Sequence, residues 1–324
     1  MTFSPVEPAS PSSVSGPPPA PSGGFSLATI FVGAKGLRSL WRLLIFIGLL
    51  YGIGFALRKT LFGIPWVVNH ILKRFSTGSL NAGVLIFNEG FLFVIIMISV
   101  LVMKAIEKKR LADYGIPGVG ILSKRFWQGV PYGFSMLSLL LVAIGAFHGM
   151  SLGGITLDRH DAIKYGFLYA IGFLLVGLCE EISFRGYMQA TLTDGIGFWP
   201  AALVLSCLFG YIHLGNSGEA IFGAVMAGSF GLLAAFSLAR TGSLWFAIGM
   251  HAAWDWGETY FYGTPDSGLV ASGHLYSASF HGARWLTGGS VGPEGSYFAL
   301  AVLIVGGLGI HLLFPAKNVT PRAA

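Results

Sequence analysis

The sequence predicts an all-α fold, a polytopic membrane helical bundle of about eight transmembrane helices, and three observations carry that prediction. Hydrophobic residues make up 54% of the 324 and charged residues only 10%, where soluble domains carry about 25% charge. The mean hydropathy is +0.70. Apolar runs near the roughly 20 residues that cross a bilayer follow one another with short connections, which suits a single bundle. The formal charge is +6, but the basic residues fall between the apolar blocks and form no continuous face, so nucleic acid is not an expected partner. Cys179 and Cys207, the 2 cysteines, both sit in apolar stretches and can build neither a disulfide framework nor a CxxC metal site.

In chain order, residues 1–24 come first as a tail. They hold seven prolines among Ser and Gly, cannot bury a core, and are expected to be disordered. With neither a basic start nor an apolar centre of the secretory type, the tail is expected to stay on the protein. Residues 25–160 follow as N-terminal membrane helices with a basic loop, 161–262 as a helix core carrying charge, and 263–324 as a Gly-rich loop, a last helix and a short tail. Spans are expected at Leu40 to Leu57, Leu80 to Met103, Trp127 to Phe147, Ala162 to Leu192, Phe198 to Leu214, Ala220 to Ala239, Leu244 to Phe261 and Tyr297 to Phe314. Thr60 to Phe75 reads as an interfacial helix, with Trp66, Lys73 and Arg74 at headgroup level.

The loop richest in basic residues lies between the second and third spans, with Lys104, Lys108, Lys109, Arg110, Lys124 and Arg125, and is therefore expected on the cytoplasmic side. An even span count then puts both termini in the cytoplasm of, by expectation, a bacterial cell. Lys35, Arg38, Arg42, Lys317 and Arg322 agree with this; Arg58, Lys59, Lys73 and Arg74 count against it. Tyr262 to Ser296 is long, Gly-rich and poor in basic residues, which fits an outer loop or partial lid. Small residues recur at every fourth position at Gly223, Ala227 and Gly231 and at Ala162, Gly166 and Ala170, stripes that let helices pack closely.

Chemistry concentrates in the fourth span, where Glu180, Glu181 and Arg185 each cost at least about 2.5 kcal/mol to insert. Glu181 and Arg185 are four apart in the favourable acid-before-base order and can neutralise one another as an ionic staple. Glu180, rotated by about 100°, is left over and needs a proton, a metal or a polar partner from another helix. His213 ends the fifth span and His251 lies inside the seventh, on one helical face with Asp255. Counted from a turn near residue 196, Glu180 and His213 both lie roughly 24 to 26 Å along their helices, hence at one depth. His251 comes out about 15 Å deeper than His213 on straight helices, unless the turn at Gly215 to Gly218 is recessed.

Glu258 shares the face of His251 and Asp255, but its place near a helix end points to a solvated carboxylate. His70, His148, His160, His274, His281 and His311 have no carboxylate partner at helical spacing and read as interfacial or packing residues. Asn318 to Thr320 matches a glycosylation sequon in a tail expected to be cytoplasmic, where the match is accidental.

Three ordered motifs carry a resemblance. Glu180, Glu181 and Arg185 resemble the EExxxR of the CPBP intramembrane proteases, the group that includes the type II CAAX prenyl endopeptidases; Phe209 and His213 resemble its FxxxH, and His251 with Asp255 its HxxxN/D. The resemblance covers about Ala162 to Phe261. It implies an integral membrane endopeptidase acting on a membrane-associated and, for part of the family, prenylated peptide or protein. It also implies Glu180 as the base and His213 as its partner on the attacking water.

Peptide hydrolysis needs a base, an oxyanion stabiliser and a proton for the leaving amine. Burial suits Glu180 to base work. An ionised Asp255 can only accept hydrogen bonds, so it is expected to orient His251 in its donating form, with His251 as the oxyanion donor. Glu181, Arg185 and Phe209 are then supporting residues. The other enzymatic possibility is one divalent metal, zinc first, held by Glu180, His213, His251 and Asp255 with a water position open. The more specific HExxH spacing is absent. Two further classes compete: a non-catalytic immunity or partner-binding membrane protein that keeps the polar cluster for packing, and, more weakly, a transporter with Glu180 as a proton relay.

Overall fold

The computed structural model describes residues 31–33, 36–63, 81–118, 120, 123–216 and 221–315. The chain divides into two units, Met1–Arg38 and Ser39–Ala324. The described part of the first forms an antiparallel pair, β1 (Val32–Gly33) with β2 (Gly36–Leu37). The expected tail, most of the interfacial helix, His70 and the sequon lie outside the described residues.

In the second unit, helices fall where the apolar runs fall. They are α1 (Ser39–Phe62), α2 (Ala82–Glu107), α3 (Lys124–Ala146), α4 (Arg159–Glu180), α5 (Gln189–Ile196), α6 (Phe198–His213), α7 (Ile221–Thr241), α8 (Leu244–Trp256), the short α9 (Arg284–Thr287) and α10 (Tyr297–Leu313). Ser39–Leu61, Ala82–Glu107, Lys124–Ala146, Arg159–Ile196 and Ile221–Thr241 are long and apolar enough to cross a membrane, while α6 and α10 are shorter apolar helices. The chain is an integral membrane protein with an all-α bundle. Side-chain caps start several helices: Asn81 accepts from Gly83, Ser123 from Phe126, Asp158 from Asp161 and Ser296 from Phe298, each satisfying an otherwise orphaned amide.

Every residue of α8 from Leu244 to Asp255 is buried. A helix that is apolar all round belongs inside a bundle, and this one is enclosed by α3, α4 and α7. Its approach to α3 is backbone to backbone. A methyl group on Gly129 would collide with the Phe246 carbonyl, one on Gly133 with that of Met250, and one on Gly249 with that of Phe126. Glycine at these three positions sets the helix separation.

The small-residue stripes do a different job from the close helix packing expected of them. Tyr260 donates to the Ala162 carbonyl at 2.6 Å and Trp256 to that of Gly166 at 2.9 Å, so the stripe on α4 seats aromatic rings. Ala227 lines a cavity and Gly231 makes room for the Arg185 guanidinium. Gly210 and Gly228, off the expected stripe, bring α6 against α7.

The segment between the third and fourth spans contains a strand, β3 (Met150–Ile155), antiparallel to β4 (Tyr276–Phe280) from the late loop. Sequence reading gave no strand here. MSLGGI offers no alternation, and its residues are mostly exposed, so the pairing comes from its partner and not from burial.

Candidate active site

At Glu180 the fourth span changes character. The α-helix ends there and Glu181–Met188 continues as a π-helix, a rare form that re-aims side chains and occurs often at functional sites. No feature of its composition signalled it. Glu181 is fully buried. One of its oxygens accepts from Arg185 Nη1 at 3.3 Å and from His251 Nδ1 at 2.9 Å. The expected ionic pair is therefore present, with a third member. Arg185 also donates through Nε to the Gly231 carbonyl at 3.3 Å and lies 4.2 Å from the centre of the Phe209 ring, a cation–π distance.

His251 sits among carboxylates. Its Nε2 is 3.6 Å from Glu180 Oε2 and 3.6 Å from Asp255 Oδ2, beyond a direct hydrogen bond and within reach through one bridging atom. Since a carboxylate only accepts, Nδ1 carries a proton toward Glu181. The His251 ring thus donates its hydrogen bond to Glu181, while Asp255, expected to orient that ring, stands 3.6 Å from Nε2.

His213 is held by its own helix: Nδ1 is 2.8 Å from the Phe209 carbonyl, and its ring lies tilted against that of Phe209 with centroids 4.4 Å apart. A carbonyl can only accept, so Nδ1 bears the proton and Nε2 of the neutral ring is an acceptor. No hydrogen bond or ion pair joins His213 to Glu180 among the described residues. Depth counting set Glu180 beside His213 and His251 apart; the structure sets Glu180 beside His251, with His213 on the same cavity.

The reason lies in the turn at Gly242 and Ser243. Leu244 packs on Gly186, and its amide donates to the Gly115 carbonyl at 2.8 Å, so α8 starts well short of the Gly197 turn. That recess brings His251 level with Glu180 and Glu181. The recess expected at Gly215 to Gly218 falls partly outside the described residues.

Glu180, His213, His251 and Asp255 line one cavity of about 330 Å³, together with Glu89, Asp266 and Glu294. Glu89, from α2, escaped sequence analysis although an acid inside an apolar span was a readable signal. Asp266 and Glu294 come from the late loop, where acids are ordinary and carry no signal. Burial pushes the Asp266 carboxyl up from its ordinary value, while the Thr259 hydroxyl pulls it down. Glu258 is a correction: it is fully buried instead of solvated, because the loop folds back over the end of α8.

Among the described residues, the sets of His, Cys, Asp and Glu whose ligand atoms all lie within 4.8 Å of one another are Asp158, His160 and Asp161, and Glu258, Asp266 and Glu294. The four residues named for zinc do not form such a set. Glu180 and Asp255 both approach His251 Nε2, and Nδ1 is held by the Glu181 carboxylate, as the outer nitrogen of a metal-bound histidine commonly is.

Residues 162–257 match the family model described as type II CAAX prenyl endopeptidase Rce1-like. A stretch of 145 residues is 30% identical to the uncharacterized protein YyaK of Bacillus subtilis (strain 168), covering 40% of this chain and 46% of that protein. The match thus spans under half of that relative's length. The family match holds Glu180, Glu181, Arg185, Phe209, His213, His251 and Asp255, the same residues on which the sequence resemblance rests. The resemblance is borne out: the segment that builds the cavity wall is similar to the Rce1-like type II CAAX prenyl endopeptidases.

Proposed function

We propose that this protein is an intramembrane endopeptidase, with Glu180 activating the water that attacks the peptide carbonyl. The supporting observation is Glu180 itself, a carboxylate facing a cavity in the bundle, next to an imidazole and outside the Glu181–Arg185 pair. Glu180 takes one proton from water while His213 Nε2 accepts the other in a hydrogen bond. The hydroxide adds to the carbonyl carbon, and the oxyanion receives the His251 Nε2–H, which Glu181 orients from the far side of the ring. The C–N bond then breaks as the proton held by Glu180 passes to the amine nitrogen. Asp255 keeps His251 donating. No step runs through a metal.

The substrate class is a membrane-associated peptide, with prenylation as the feature that the family's name suggests and a paired library can read. Both termini lie on the cytoplasmic side of the membrane, by the distribution of basic residues. The test is purified protein in detergent, assayed by mass spectrometry on prenylated and unmodified peptide libraries, with metal analysis of the same sample. Cleavage at substoichiometric zinc is the expected result. Cleavage that vanishes with a chelator and returns with stoichiometric zinc contradicts the metal-free mechanism, and no cleavage of either library contradicts the enzyme.

A further inference from the structure

Glu258, Asp266 and Glu294 meet where the end of α8 is covered by the late loop, each offering a carboxylate oxygen, and these oxygens all lie within 4.8 Å of one another. Glu258 is 0% exposed. Its Oε2 accepts from the indole N–H of Trp254 at 2.8 Å, while Oε1 is buried with no hydrogen-bond partner. An ionised carboxylate with an orphaned oxygen in the interior is costly, and such a group asks for a missing ligand. Among the described residues no lysine or arginine forms an ion pair with Glu258 or Asp266.

The surrounding loop is built to hold this geometry. Thr259 donates to Asp266 Oδ2 at 2.8 Å, and the Ser267 amide and hydroxyl donate to Glu294 Oε1 at 2.8 and 3.0 Å. Gly292, at φ +123°, lies so close to Glu258 that an added Cβ would stand 3.3 Å from Oε1 and collide with the Pro265 carbonyl. Only glycine lets this strand of the loop close over the carboxylate.

We infer that Glu258, Asp266 and Glu294 bind one calcium ion. Three carboxylates with no nitrogen or sulfur donor select a hard cation over zinc. Calcium bonds oxygen at about 2.3 to 2.6 Å, so oxygens up to about 4.6 to 5.2 Å apart can share one ion, a bound the three carboxylates meet; magnesium gives up its waters reluctantly and is seldom held by protein carboxylates alone. Asp266 and Glu294 also line the cavity, which provides the entry path. The bound ion ties two loop segments to the end of α8 and fixes that wall of the cavity. This site is separate from the groups assigned to hydrolysis, and its test needs no substrate.

Purified full-length protein, stripped with a chelator, is titrated with calcium by equilibrium dialysis and with terbium, a luminescent calcium surrogate excited through Trp254. One saturable calcium per chain is expected, with sensitised terbium emission that calcium displaces. Glu258→Gln weakens binding at least about tenfold, the loss known even for indirect contacts to a metal. Asp266→Asn, on the loop, repeats the test, and a calcium-free melting curve checks that each variant is folded. Asp158→Asn, in the exposed acidic cluster, leaves binding unchanged. The assignment is overturned by no saturable calcium on the wild type, by tighter binding of magnesium, by equal affinity in folded Glu258→Gln and Asp266→Asn, or by loss of binding in Asp158→Asn.

Discussion

Glu180 and Glu181 are adjacent in sequence and opposite in circumstance, because one turns to the cavity and the other into the Arg185–His251 cluster. They should therefore fail differently. Glu181→Gln removes the charge facing a buried guanidinium, and breaking such a pair costs about 3–5 kcal/mol, read as a lower melting temperature in detergent. Arg185→Met should be similarly destabilising, since it leaves the buried Glu181 without its guanidinium partner; unchanged melting in both would remove the staple. The pairing of Glu181 with Arg185 was legible from spacing alone. Its bond to His251 was not, because a helical wheel drawn at 3.6 residues per turn is wrong through Glu181–Met188, where the helix is π. Glu258 was misjudged for a related reason: position near a helix end implies solvent only when no loop covers that end.

At the scale of elements, the glycines of α3 and α8 decide how deep the site lies. Gly133→Ala should push α8 off α3 at a cost of about 1–3 kcal/mol, the range for overpacking a filled interior, whereas Gly48→Ala on α1, which has open space, should leave melting unchanged. Equal effects at the two positions would mean that the α3–α8 contact is not the one that holds the bundle. Gly231→Ala should displace the Arg185 side chain and mimic part of the Arg185→Met loss. Span positions were readable because each apolar run is long. The β3–β4 pairing was not, since β3 does not alternate in hydropathy, β4 is only 5 residues long, and the partners are over a hundred residues apart. The start of α8 was equally hidden: only the packing of Leu244 on Gly186 reveals that the turn before it is recessed.

For the whole molecule, an acidic cavity inside an apolar bundle sets both the orientation and the chemistry to be tested. Lys108→Cys should react with a membrane-impermeant thiol reagent only from the cytoplasmic side, and His281→Cys only from the outer side; the reverse pattern would invert the topology read from the basic loop. Arg42 pairs with Glu107 and, at 2.8 Å, with Asp194, joining α1, α2 and α5 by charge at the end of the bundle away from His213. The most direct measurement of the central claim is single-turnover cleavage of a membrane peptide by wild-type protein and by Glu180→Gln, with the melting temperature of each taken from the same preparation. A loss of about 10²- to 10⁴-fold, the contribution of a positioned base, at an unchanged melting temperature is the predicted result. Undiminished cleavage by folded Glu180→Gln would contradict it.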